Sequence, residues 1–183
     1  DDLYNNDTMY GAAKIANEQT AKAFRKMYGM NYVCLRPFNA YGPRMDIHGV
    51  YTEVLIRWLD AIDKGEQPII YGNGNNTLDF IYVEDIAQAT ILAIESKANE
   101  GFFNVGSGKQ VSLNKLLSTL LKLTKSPLKP LYKKQEEKTN YATKREASIV
   151  KARDELGFVA ETSLEKGLAR LIEWRKKEKG KRK

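Results

Sequence analysis

Apolar and small residues recur at helical spacing near the start of the chain, at Ala12, Ile15, Ala16, Ala23, Phe24 and Met27, and predict a helix over 9–28. Asp7 or Thr8 can cap its first free N–H groups, and Gly29 can take the left-handed conformation that ends it. A short apolar run over 31–36 predicts a buried strand stopped by Pro37, and the Asn, Gly and Pro content of 38–44 predicts a loop. Helical period returns over 51–62, with Val54, Leu55, Trp58, Leu59 and Ile62 on one side and Gly65 closing it. A brief strand over 68–71 leads into a turn over 72–76, and 78–83 is predicted as one partly buried strand. Glu84 and Asp85 stand where they can cap an apolar helix reaching about 96. There follow a strand over 101–105, a glycine turn at 106–108, a helix from 111–114 to about 124, and a proline-bracketed strand over 128–132. Residues 133–146 are polar and read as loop, and two helices, over about 148–156 and 163–177, complete the pattern.

Strands alternating with helices point to an α/β protein with a mostly parallel sheet. A dinucleotide-binding turn is not legible, because Gly72-Asn-Gly74 and Gly106-Ser-Gly108 both lack the third glycine. At 183 residues the chain can bury the core of one ordinary domain. No apolar run is long enough to span a bilayer, and no basic stretch leads into an apolar one at the start, so neither a membrane partner nor a secretory leader is expected. The single cysteine, Cys34, lies in an apolar run and is expected to be a buried structural thiol in a reducing compartment. With His48 as the only histidine, a histidine zinc site or a Ser-His-Asp triad lacks its parts, and a metal-free mechanism is expected. The net charge of +7 does not point to nucleic acid, since the run 175–183 alone holds seven basic residues and one acidic. Without interleaved aromatics after Trp174, that run is expected to be a solvated tail.

Tyr10 and Lys14 are four apart and therefore share a face of the first helix. An ammonium beside a phenol favours phenolate, which can serve as general base toward a secondary alcohol. The same spacing also fits a solvated pair on a helix surface, and alone it does not choose.

Four segments widen the comparison: Tyr10-Gly-Ala-Ala-Lys-Ile-Ala-Asn-Glu18, Leu35-Arg-Pro-Phe-Asn-Ala-Tyr-Gly-Pro-Arg44, Thr77-Leu-Asp-Phe-Ile-Tyr-Val-Glu-Asp-Ile-Ala87 and Phe103-Asn-Val-Gly-Ser-Gly108. In order and spacing the chain resembles the extended short-chain dehydrogenases, the NAD-dependent epimerases and dehydratases of nucleotide sugars, UDP-glucose 4-epimerase among them. The resemblance implies the C-terminal portion of a doubly wound Rossmann-type sheet, interleaved with a smaller α/β substrate-binding domain. Residues 1–45 would end the dinucleotide domain and 46–183 would form mainly the substrate domain, with 78–105 returning to the sheet. The dinucleotide-binding first half, with the catalytic Ser/Thr, would fall before Asp1.

By the same resemblance Tyr10 is the catalytic base and Lys14 holds the nicotinamide ribose of NAD. Pro37 and Phe38 lie beside the nicotinamide, although a strand stop and core packing explain them equally. Asn39 meets the substrate diphosphate, Arg44 stands near the site or in solvent, and Ile70 and Tyr71 lie where the nucleotide base is held or are simply buried. Asp79 and Asp85 are expected to be structural, as a loop or sheet contact and a helix cap. Two positions depart from the family pattern: Leu78 and Lys138 stand where many members carry arginine. Leucine cannot bind phosphate and lysine lacks the arginine fork, so the diphosphate would fall to Asn39, Lys138 and Arg145. The expected activity of the full-length protein is epimerisation at a sugar carbon, C4 of a UDP-sugar, in a cytoplasmic homodimer. The alternatives are a 4,6-dehydratase and a non-catalytic fragment that binds nucleotide sugar; this segment alone is expected to be inactive.

Overall fold

The computed structural model describes residues 8–46, 53–134 and 146–180. In chain order its elements are α1 (Met9–Tyr28), β1 (Tyr32–Pro37), β2 (Asn39–Tyr41), α2 (Val54–Lys64), β3 (Ile69–Tyr71), β4 (Thr77–Leu78), β5 (Phe80–Tyr82), α3 (Val83–Glu95), β6 (Glu100–Val105), β7 (Val111–Ser112), α4 (Leu113–Thr124), β8 (Leu131–Lys133), α5 (Val150–Leu156) and α6 (Leu164–Gly180). β1 runs parallel to β6, β2 to β5 and β3 to β8, while β4 and β7 are antiparallel. The architecture is therefore α/β with parallel pairing, as the alternating pattern predicts.

Local signals set the ends of α1. The Thr8 hydroxyl accepts from the Gly11 amide at 3.0 Å, and Gly29, at φ 69°, returns its own N–H to the Arg25 carbonyl. Elsewhere tertiary pairing overrides the local pattern. The strand expected over 78–83 divides at Asp79, because β4 pairs with β7 whereas β5 pairs with β2. Part of the loop expected over 38–44 is strand for the same reason, since Asn39–Tyr41 align with Phe80–Tyr82.

β5 lies between two cores. Its alternating side chains send Phe80 and Tyr82 into a core built with α2, α4 and α6, and Ile81 into a second core built with Phe103 and Val105 of β6, Ala152 and Leu156 of α5, and Phe158. Val33 and Leu35 of β1 join the second core, which leaves Tyr32, Cys34 and Arg36 on the opposite face of that strand.

Three expectations are corrected by packing. Glu84 and Asp85 do not cap α3, whose N-cap is Tyr82 without a side-chain bond. The Asp85 carboxylate instead accepts from the Glu161 and Thr162 amides and the Thr162 hydroxyl, at 3.2–3.3 Å, and so fixes the approach to α6. The basic run from 175 is not simply a solvated tail: Arg175 is 3% exposed and its guanidinium pairs with Asp60 and Asp63 of α2, while Lys179 reaches Asp63 at 2.6 Å. Cys34 is half-buried rather than fully buried; removal from water, and secondly the nearby Glu18 carboxylate, push its thiol up from the ordinary value.

Gly167 in α6 shows how closely the first core is packed. A Cβ there would lie 2.2 Å from the Tyr41 phenol oxygen, so the space a side chain would need is already filled. Glycine inside a helix otherwise costs about 1 kcal/mol relative to alanine. Overpacking of this kind costs about 1–3 kcal/mol, so Gly167→Ala is expected to destabilise the protein despite the better helix propensity. A lower urea midpoint with an unchanged slope would show it.

Candidate active site

Helix α1 has no buried residue, and the contacts that hold it to the sheet are largely polar. Arg36 of β1 grips the Glu18 carboxylate with two bonds of 2.6 Å, from Nε and from a terminal nitrogen. Lys22 and Arg36 both stand 5.2 Å from the centre of the Phe102 ring on β6. Arg25 donates to the Gly29 carbonyl and the Asn31 side chain, and its guanidinium lies 3.8 Å from Glu100. The helix thus runs antiparallel to β1, with Glu18 near the carboxyl end of the strand and Arg25 near its start.

That direction places the catalytic candidates. At 1.5 Å of rise per helical residue, Lys14 and Tyr10 lie about 6 and about 12 Å beyond Glu18. At about 3.3 Å per strand residue, Asn39 lies about 10 Å beyond Arg36. The pair and the Pro37-Phe38-Asn39 segment therefore share the carboxyl end of the β1–β6 strands, the end at which open α/β sheets bind ligands. Tyr10 is 73% exposed, and the Lys14 ammonium sits 5.2 Å from the centre of its ring.

Asn39 is held by Asp79. Its backbone N–H and its side-chain Nδ2 both donate to the Asp79 carbonyl, at 3.1 and 2.8 Å, which fixes the direction of the amide. The Asp79 carboxylate is fully buried and accepts from the Ser107 amide at 2.8 Å, the Ser107 hydroxyl at 2.6 Å, the Gly108 amide at 2.9 Å and the Ala147 amide at 3.2 Å. Gly106 approaches so closely that a Cβ would come within 2.4 Å of Ala147 and 2.8 Å of the Asp79 carboxylate. One residue therefore joins the turn at 106–108 and the chain at 147, through its side chain, to the segment carrying Asn39, through its backbone carbonyl.

The other candidates are dispersed. Pro37 is exposed, and Phe38 is half-buried with its amide bonded to the Val105 carbonyl at 2.9 Å. Arg44 is exposed in the turn after β2, at a left-handed φ of 70°. Ile70 is buried in the first core, whereas the next residue, Tyr71, is 57% exposed. Leu78 pairs with Val111 and packs against that same core, so an apolar residue at this position serves folding. Lys138 and Arg145 lie outside the described residues. Among those described, no group of three or more His, Cys, Asp or Glu side chains could hold a metal ion, and no helix is long and apolar enough to cross a membrane.

The sequence patterns passed over Glu18 and Arg36. Their signal was the helical stripe Tyr10, Lys14, Glu18, in which each step of four residues keeps one face.

Residues 1–106 match the model of the NAD dependent epimerase/dehydratase family. The chain belongs to this family. A putative UDP-glucose 4-epimerase of Methanocaldococcus jannaschii is 35% identical over 91% of the chain and 53% of its own length. The solved UDP-N-acetylglucosamine 4-epimerase of Methanobrevibacter ruminantium, in complex with UDP-N-acetylmuramic acid, superposes with a TM-score of 0.85 at 34% identity, over 92% of this chain and 54% of that one. A UDP-glucuronic acid 4-epimerase of Bacillus cereus, solved with UDP-glucuronic acid and NAD, gives a TM-score of 0.81 at 27% identity, over 92% of this chain and 52% of that one. The chain thus spans about half the length of the curated relatives it matches.

The carboxyl that anchors α1 is shifted from its ordinary value. The hydrogen bond from Arg36 holds the Glu18 carboxyl below its ordinary range, against the opposing effect of burial. A depressed carboxyl contributes its stability in full above the unfolded value of about 4.3, and loses it as the pH falls through the lower folded value. The urea midpoint of the protein is expected to drop as the pH is taken below about 4.3. Glu18→Gln should flatten that part of the profile.

Proposed function

We propose that the complete polypeptide is an NAD-dependent epimerase that inverts a hydroxyl-bearing carbon, C4, of a UDP-sugar. The observation that carries this reading is the Tyr10–Lys14 pair at the carboxyl end of the β1–β6 strands, level with Asn39, in a chain of this family. Epimerases recur among the relatives and solved neighbours, several with a uridine diphosphate sugar in the name.

The residues fit one end of NAD. Tyr10 and Lys14 offer a phenol and an ammonium suited to a ribose, and half-buried Phe38 offers an apolar surface. A glycine-rich turn for the pyrophosphate does not occur in the sequence. The pyrophosphate would then be held by polypeptide beyond this chain, as its half-length match to relatives suggests. On this division 1–45 ends the dinucleotide domain, and 46–183 is mainly substrate domain, with 78–105 returning to the sheet.

When bound, NAD supplies the hydride acceptor and donor. Tyr10, as general base, would take the proton of the sugar C4 hydroxyl while that carbon is oxidised, and return it on reduction at the opposite face. Lys14 orients the ribose. Asn39, with one N–H committed to Asp79, directs its other toward the substrate diphosphate. Tyr71 is available beside the nucleotide base, and Arg44, Lys138 and Arg145 are the cations assigned to the substrate.

In the full-length enzyme Tyr10→Phe is expected to lower turnover of UDP-sugar by about 10²–10⁴, the usual contribution of a general base, with bound NAD retained. Undiminished turnover in this variant would sink the reading.

The proposed homodimer would form through α1. Opposite its sheet-facing stripe lie Met9, Ala12, Ala16, Ala23 and Met27, all exposed, with Gln19 and Lys26 only on the flanks. A second copy covers this apolar face in the proposed homodimer, and the single unpaired Cys34 accords with a cytoplasmic setting. Ala16→Arg in the full-length protein is expected to halve the mass measured by light scattering while leaving the far-ultraviolet circular dichroism unchanged. A dimer that persists would remove α1 from the interface.

A further inference from the structure

The position of Tyr10 depends on a helix with no fully buried residue. Tyr10, Lys14, Glu18, Lys22 and Arg25 follow one stripe of α1, and the last three of these make the polar contacts with the β1–β6 pair. These contacts differ in what they can specify. A cation over a ring face, as at Lys22 and Phe102, tolerates sliding and rotation. Arg25 acts at the far end of the helix, and its Glu100 partner is 61% exposed, so that pair is screened by solvent. The Glu18–Arg36 fork is different: two parallel bonds of 2.6 Å fix distance, direction and plane together. The same guanidinium lies against the Phe102 ring, so Arg36 ties α1, β1 and β6 at one point. That point is one helical turn from Lys14 and two from Tyr10.

We infer that Glu18 and Arg36 are positioning residues, whose fork sets the height and rotation of α1 over the strands and through them the place of Tyr10 and Lys14. The inference rests on the reading of Tyr10 as the base. Neither residue is required to touch substrate or cofactor. The fork acts because an error of about 1 Å in the placement of a reacting group can cost about 10² in rate. A lysine at 36 keeps the charge but loses the fork, which separates geometry from electrostatics.

The test uses the full-length enzyme with Glu18→Gln, Arg36→Lys and the reversed pair Glu18→Arg/Arg36→Glu. The two single variants are expected to lower kcat by about 10–100-fold, with KM for the UDP-sugar within about twofold and the bound NAD unchanged. The reversed pair should recover most of kcat. Amide hydrogen exchange over 9–20 should speed up in the single variants and slow again in the reversed pair. Single variants with kcat within twofold of wild type would overturn the inference. So would a parallel fall of kcat, NAD content and thermal midpoint in Arg36→Lys, because a purely structural role gives that pattern. Tyr10→Phe, run alongside, tests the underlying reading separately: if it stays active the base is elsewhere, and the exchange data still decide whether the fork holds the helix.

Discussion

The buried carboxylate of Asp79 is the constraint on which the rest of this molecule turns. An ionised group removed from water is costly unless donors replace the water, and here four do: two backbone amides and a hydroxyl from the 107–108 turn, and the Ala147 amide. Those donors come from segments far apart in the chain, so satisfying one side chain brings them together. The chain also changes sheet at this residue. Thr77–Leu78 pair antiparallel with β7, and Phe80–Tyr82 pair parallel with β2. A strand that did not break here would carry its side chains past both cores in the wrong register. The break lets Phe80 and Tyr82 enter one core and Ile81 the other.

The two sides of the proposed site are held in contrasting ways. Asn39 is fixed from within, through the carbonyl of Asp79, by a network whose other members are buried or half-buried. Tyr10 and Lys14 are fixed from without, on a helix held to the sheet largely by charges. Buried networks have few alternative arrangements, whereas exposed ion pairs individually contribute little. The substrate side of the site is thus inherently the more rigid, and the base side takes its order from a single well-formed fork and from whatever covers the helix.

What could be read from the sequence follows the range of the forces involved. The ends of α1 were legible because Thr8 and Gly29 act within four residues of the groups they satisfy. The Tyr10–Lys14 pair was legible as a pair, and became a catalytic candidate only through the resemblance carried by four motifs together. The division at Asp79 was hidden, since 78–83 has one hydrophobicity pattern but two pairing partners. Ile70 and Tyr71 could not be separated either, because a three-residue strand is too short for alternation to tell the buried face from the open one. Arg175 looked like the start of a solvated tail, and its partners Asp60 and Asp63 lie more than a hundred residues earlier. The fork escaped notice for a related reason: Glu18 is a helix residue, Arg36 a strand residue, and only the return of the chain through Gly29 brings them face to face.

Helix α1 finally inverts the usual arrangement of an amphipathic helix. Its charged stripe of Glu18, Lys22 and Arg25 faces the sheet, and its Ala- and Met-rich stripe faces outward. In an isolated chain that orientation forgoes the hydrophobic contribution that normally fixes a surface helix. It becomes favourable once the outer stripe is covered, because small side chains allow close approach of a second backbone while the charged stripe retains the fork. Two further features require cover of their own: β1 has β6 as its single partner among the described residues, and Phe24, Tyr28 and Met30 stand exposed. The same physical deficit therefore appears on the helix and on the strand edge, the two elements that carry the proposed site. The proposed dinucleotide-binding half would meet that deficit at the surface where the proposed base stands.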